Sequence, residues 1–119
     1  MKNINTLFEE YTQAALEHGK ALASGDHKIT NKAYAKLTRI YKKLEKDHVF
    51  AETILNDLLQ HDNYLVRICA AAHALGLNIS VDNAQNILDE ISKRTDIGII
   101  RLEAEMTLKE WRKKGELKF

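Results

Sequence analysis

Apolar residues recur every three or four positions along almost the whole chain, the spacing that puts them on one face of an α-helix. In the first segment Ile4, Leu7, Phe8, Tyr11, Ala15, His18 and Leu22 make one such stripe. Thr6 with Glu9 forms a possible capping box, and Ser24-Gly25 is a plausible stop. A second helix is predicted from Asp26 to about Lys46, with Ala33, Leu37, Ile40, Tyr41 and Leu44 facing one way. A third, shorter helix carries Phe50, Ala51, Ile54, Leu55, Leu58 and Leu59. A fourth starts after Asp62 or Asn63, runs through Val66, Cys69, Ala70 and Ala74, and ends at Gly76. The fifth follows Ser80 with Val81, Ala84, Ile87, Leu88 and Ile91. The sixth starts near Asp96, carries Ile99, Ile100, Ala104, Met106, Leu108 and Trp111, and stops at Gly115.

Part of this pattern is repeated. Asp62, Val66, Arg67, Ala70 and Ala74 return as Asp96, Ile100, Arg101, Ala104 and Leu108, each 34 residues on. The preceding helix matches at an offset of 33: Ala51, Ile54, Leu55, Asn56, Asp57 and Leu58 against Ala84, Ile87, Leu88, Asp89, Glu90 and Ile91. The one-residue difference falls between helices, where an insertion disturbs least.

The stretch from Leu58 through Asp62 to Val66-Arg67, followed by Ala70, Ala71 and Ala74, resembles HEAT and armadillo-like repeats. Their second helix opens with an aspartate-bearing turn, then Val-Arg, then alanines. The resemblance implies an all-α, α-α superhelix of about six helices in three stacked hairpins. It is clearest over residues 48–112, with 1–47 as a diverged first hairpin of a single domain spanning 1–119. His61 and Thr95 stand where the common pattern has an aspartate that pairs with a neighbouring arginine, which departs from a regular Asp–Arg ladder. The chain also resembles a small bacterial family of uncharacterised single-domain proteins, on the run Ala104-Glu105-Met106, Leu108, Glu110-Trp111 through Gly115. Such proteins often act as immunity or adaptor partners beside toxins. In HEAT-like folds the second helices line a concave face, so the resemblance puts a gripping surface on the second, fourth and sixth helices.

Composition narrows the class. At 119 residues, with 45% hydrophobic and 29% charged residues, the chain is long enough for a core without disulfide or metal support. Its single cysteine, Cys69, forbids an intrachain disulfide and points to a reducing compartment. The first five residues lack the apolar run of a signal peptide, and no stretch is long and apolar enough to span a bilayer, so a cytoplasmic location is expected. A net charge of +1 gives no global field toward nucleic acid or a membrane.

The clearest surface feature is a stripe on the second helix. Lys28, Lys32, Lys36, Arg39, Lys43 and Lys46 fall on one side, opposite Leu37, Ile40 and Leu44, over roughly 27 Å. No carboxylate is interleaved at i+4 to relieve their repulsion. Two readings are open: a solvated lysine face, or contact with an acidic protein. Arg67 and Arg101 occupy equivalent repeat positions; they serve either as anchors on a concave surface or as inter-repeat hydrogen-bond donors. Arg101, Glu105, Lys109 and Arg112 continue a mixed-charge strip along the sixth helix.

Catalytic and metal chemistry find little support. Cys69 and His73 are one turn apart and supply half a zinc site, but no second pair is spaced to complete it. A buried thiol and a hydrogen-bonded histidine account for them better. Two groups on one packed helix form no nucleophile elbow or oxyanion hole. Tyr11, Tyr64 and Trp111 are expected to pack in the core or at its edge, not to stack on bases. The sequence therefore reads as a non-enzymatic protein-binding module without a cofactor, recognising an acidic surface. The alternative is a nucleic-acid-binding helical repeat protein using the same lysine stripe.

Overall fold

The computed structural model describes residues 4–117, with side chains from Thr6 onward. Ile4, expected to open the first apolar stripe, has its side chain outside the described residues. Six α-helices follow in order: α1 (Ile4–Ser24), α2 (His27–Glu45), α3 (His48–Leu58), α4 (Tyr64–Gly76), α5 (Val81–Ser92) and α6 (Ile100–Lys114). Among the described residues there is no strand.

Local chemistry sets most boundaries. Gly25, at φ +76°, ends α1, and the Asp26 side chain then accepts from the Ile29 N–H at 3.2 Å to start α2. Asp47 caps α3 through Phe50 N–H at 3.1 Å. Asn63 caps α4 by accepting from Leu65 and Val66. Gly115, at φ +73°, closes α6 in the left-handed conformation.

Two expected starts are different. Thr6 lies inside α1, so it does not cap it. α6 begins at Ile100, not near Asp96, because the Asp96 carboxylate is held by the Arg94 guanidinium at 2.6 and 2.9 Å. Gly98 at φ +61° then turns the chain before the helix can form. Ser80, at the start of α5, is itself left-handed (φ +44°) and makes no side-chain cap; its hydroxyl donates to Asn56 Oδ1 at 2.7 Å instead.

Consecutive helices pack on each other, and α1 and α2 run in opposite directions, with His18 of α1 beside Tyr34 of α2. α4 is the centre. It packs on α1, α3, α5 and α6, and Tyr41 brings α2 to within 5.1 Å ring to ring of His73. Nine of its residues are buried, from Leu65 to Leu75. The run of alanines at 70, 71, 72 and 74 explains how: small side chains let neighbours approach from several directions at once. Gly19 of α1 does the same from the other side, for a Cβ there would collide with Leu65. The molecule measures 39 × 30 × 25 Å, so the six helices form a block around α4 and not an elongated ribbon.

Candidate basic surface and helical groove

The six cations of the second-helix stripe lie on the outer side of α2. Its opposite face, Ala33, Leu37, Ile40, Tyr41 and Leu44, is buried. Lys28, Lys32, Arg39, Lys43 and Lys46 are exposed and Lys36 is half-buried. Among the described residues none of the six has a carboxylate within ion-pair distance. Some cations elsewhere are partnered, Lys93 with Asp89 at 2.9 Å, Arg94 with Asp96 at 2.6 Å, Arg101 with Glu105 at 3.4 Å and Lys114 with Glu110 at 2.6 Å; Lys20, Lys109, Arg112 and Lys113, like the stripe, make no ion pair among the described residues. On α2 itself only Lys42 pairs, with Glu45 at 3.4 Å. The stripe is thus a strip of mutually repelling charge that the protein leaves uncompensated.

Its middle forms one wall of a groove of about 650 Å³ between α1 and α2. Lys36, Arg39, Lys42 and Lys43 stand on the α2 side, Glu9, Glu10 and Gln13 on the α1 side, with Ile40 between them. Lysine and arginine stems supply much of the apolar lining, with charge carried at the tips. The sequence alone did not reveal this groove. Glu9 and Gln13 share the polar side of α1, but which side of that helix meets the lysines is set by the tertiary packing of the hairpin.

The other basic candidates are not brought to this surface. Arg67 sits on α4 with its guanidinium carbon 4.7 Å from the centre of the Tyr64 ring, and Arg94 reaches the same ring at 4.9 Å. The Nε of Arg67 is buried without a hydrogen-bond partner among the described residues. Arg101 pairs with Glu105 on its own helix. The two repeat-equivalent arginines therefore have different surroundings, and among the described residues neither makes a hydrogen bond across repeats. Arg112 is exposed in the last turn of α6 with Lys113 and Lys114, where positive charge suits the helix dipole. The expected concave surface is not open at α4, because Ala71 and Ala74 are fully buried.

His73 lies in the core beside two tyrosines, and the half-buried Cys69 packs against that core. The Tyr11 hydroxyl and His73 Nδ1 share a hydrogen bond of 2.5 Å, both groups being buried, and the rings meet edge to face. Desolvation pushes the His73 imidazole down to about 3 and so keeps it neutral. Burial, and then the nearby Glu103, pushes the Cys69 thiol up to about 12. Burial likewise raises the Tyr11 phenol, with Cys69 adding to the effect. A protonated thiol beside a neutral imidazole is the reverse of an activated nucleophile–base pair. Among the described residues no three His, Cys, Asp or Glu side chains cluster to hold a metal ion, and no helix is long and apolar enough to cross a membrane.

These features define an all-α protein with a basic stripe on an outer helix and with His73, Cys69 and Tyr11 held in neutral form by burial. The chain belongs to the family described as Domain of unknown function (DUF2019), whose sequence profile matches residues 3–111. No curated protein and no solved structure matches the chain.

Proposed function

We propose that this protein is a non-catalytic, cytoplasmic protein-binding module, an immunity or adaptor protein that docks an acidic surface onto the outer face of α2. The resemblance of the α3–α6 pattern to HEAT-like repeats supports a scaffold built for surface contact. The observation that carries the reading is the uncompensated stripe: six cations on one exposed helix face without a single ion pair among the described residues. Each repels its neighbours in the free protein, and an acidic partner removes that repulsion while steering the encounter.

The test reverses Lys28, Lys32 and Lys46 to glutamate. These residues are exposed and none lines the groove, so folding is expected to be unchanged. Proteins captured by the wild type and lost by the triple variant are identified, and their association is measured at low and high salt. An acidic partner whose association slows about tenfold in the variant, with the gap closing as salt rises, supports the reading. Wild-type protein that instead binds duplex oligonucleotides, with log affinity falling steeply and linearly in log salt, replaces it with nucleic-acid recognition.

A further inference from the structure

The row of cations on α2 also restricts the shape of what it can bind. Lys28, Lys32, Lys36, Arg39, Lys43 and Lys46 follow one another at steps of four, four, three, four and three residues, one per helical turn. The row is about 27 Å long. α2 packs on α1, on α3 and, through Tyr41, on α4 with its opposite side, so the row faces outward along its length.

The two borders of the row differ. On one lies Ile29, 48% exposed, one turn from Lys32 and two turns from Lys36. On the other lie the exposed Asn31 and Ala35, and Lys42, which is already paired with Glu45 at 3.4 Å. The surface therefore consists of a line of positive charge with one apolar side chain on a single side, near one end.

An extended acidic segment matches this surface poorly. Side chains on one face of a strand recur every ~6.6 Å, so five steps cover about 33 Å and overrun the row by about one cation. A strand also turns only one line of side chains toward the row, so an apolar residue beside Ile29 displaces a carboxylate. The helix backbone of α2, satisfied internally, gives an incoming strand nothing to pair with. A helix meets all three conditions. Its side chains recur at the same three- and four-residue steps, a second line runs beside the first, and it brings its own hydrogen bonds.

We infer that the stripe receives an acidic amphipathic helix of the partner protein, laid along α2, with one carboxylate per turn against the row and an apolar side chain on Ile29. This rests on the acidic-partner reading and adds to it the conformation of the segment that docks. Charge steers the helix onto the row and aligns it. Because Ile29 lies near one end, the apolar contact fixes the register that a uniform row of charge leaves open.

The probe is a synthetic peptide of about 20 residues, slightly longer than the row, in an alanine and glutamine background. It carries six glutamates at the same steps as the cations and one leucine on the border of that line. Two controls have equal charge: an isomer with the glutamates spread around the helix, and the row peptide with two central prolines, which prevent a helix. Binding is followed by fluorescence anisotropy and by peptide ellipticity. The row peptide is expected to bind about tenfold more tightly than either control, and to gain helix as it does so. Ile29→Gln, with an unchanged circular dichroism spectrum, should weaken the row peptide several-fold and leave the controls as they were. Equal binding of all three peptides overturns the inference and leaves the acidic-partner reading intact, since the row then senses charge alone. Row-peptide binding that survives the Lys28, Lys32 and Lys46 to glutamate variant overturns it by placing the contact elsewhere. It falls too if no peptide binds, or if a duplex oligonucleotide binds more tightly than any peptide. Self-association of the chain that the triple variant abolishes also overturns it, by seating a second copy on the stripe.

Discussion

His73 makes the stability of this fold sensitive to acid in a way that can be worked through. In the folded protein its ring is buried against Tyr11 and Tyr41, shares a hydrogen bond with the Tyr11 hydroxyl at Nδ1, and burial lowers its pKa from the ordinary 6.5 to about 3. Above pH 6.5 the ring is neutral whether the chain is folded or unfolded, and titration contributes nothing. Below 6.5 the unfolded chain takes up the proton and the native chain does not, so stability falls as pH falls. The loss accumulates until about pH 3, where the native ring is protonated too. Each pH unit in that window is worth about 1.4 kcal/mol, so going from pH 7.5 to 4.5 removes about 2.5 to 3 kcal/mol through this group alone. With a urea dependence of about 1 to 3 kcal/mol per molar, the midpoint should move down by roughly 1 to 3 M. Carboxylates titrate in the same range, and His73→Gln serves as the reference that retains them. The variant will be less stable at pH 7.5, yet it should lose about 2.5 to 3 kcal/mol less than the wild type on acidification. In native wild-type protein the His73 ring signals should also show no protonation at pH 4.5. Equal losses in wild type and variant, or a ring that titrates near 6.5 in the folded state, would refute the argument.

Other expectations follow from packing. Ala104→Leu puts three extra carbons where α6 meets α4 and α5 with no exposed surface, and should cost about 1 to 3 kcal/mol in urea unfolding. Gly19→Ala gains about 1 kcal/mol of helix propensity, but its Cβ drives into Leu65, so the net change should be a lower melting temperature. Asn63→Ala removes the acceptor for two backbone N–H groups of α4 and should cost about 1 kcal/mol. Tyr11→Phe removes the hydroxyl that hydrogen-bonds His73 Nδ1 in the core and should cost about 1 to 3 kcal/mol.

Helix boundaries were legible where punctuation was local. Asp26, Asn63, Gly25, Gly76 and Gly115 mark ends within a residue, because caps and left-handed stops depend on a few neighbouring atoms. The start of α6 was not. The repeat aligns Asp96 with Asp62, but its carboxylate went to Arg94, and Ile97, where Asn63 caps α4, has no side-chain acceptor. The burial of α4 had a sequence signal, since alanines at 70, 71, 72 and 74 leave that helix little polar surface. The same signal argues against an open concave face along the fourth helix, since a helix apolar on most sides belongs inside. The hydrogen bonding of His73 was expected in kind, though not its partner, for Tyr11 is 62 residues away. The basic stripe was fully readable because it belongs to one helix. The groove beside it was not, since two helices and their rotation about each other create it.

The position of α4 governs how this fold can change length. In an array where each hairpin touches only its neighbours, a terminal hairpin can be lost or gained without harm to the rest. Here α4 touches every other helix, α2 by way of Tyr41, so each element at either end covers part of the same central rod. Ending the chain at Ser80 would strip α5 and α6 from α4 and bare an alanine-rich flank. Starting it at Asp47 would remove α1 and α2 and open the His73 pocket to water. Neither half closes a core by itself. Duplication or deletion is therefore expected to keep the six helices together.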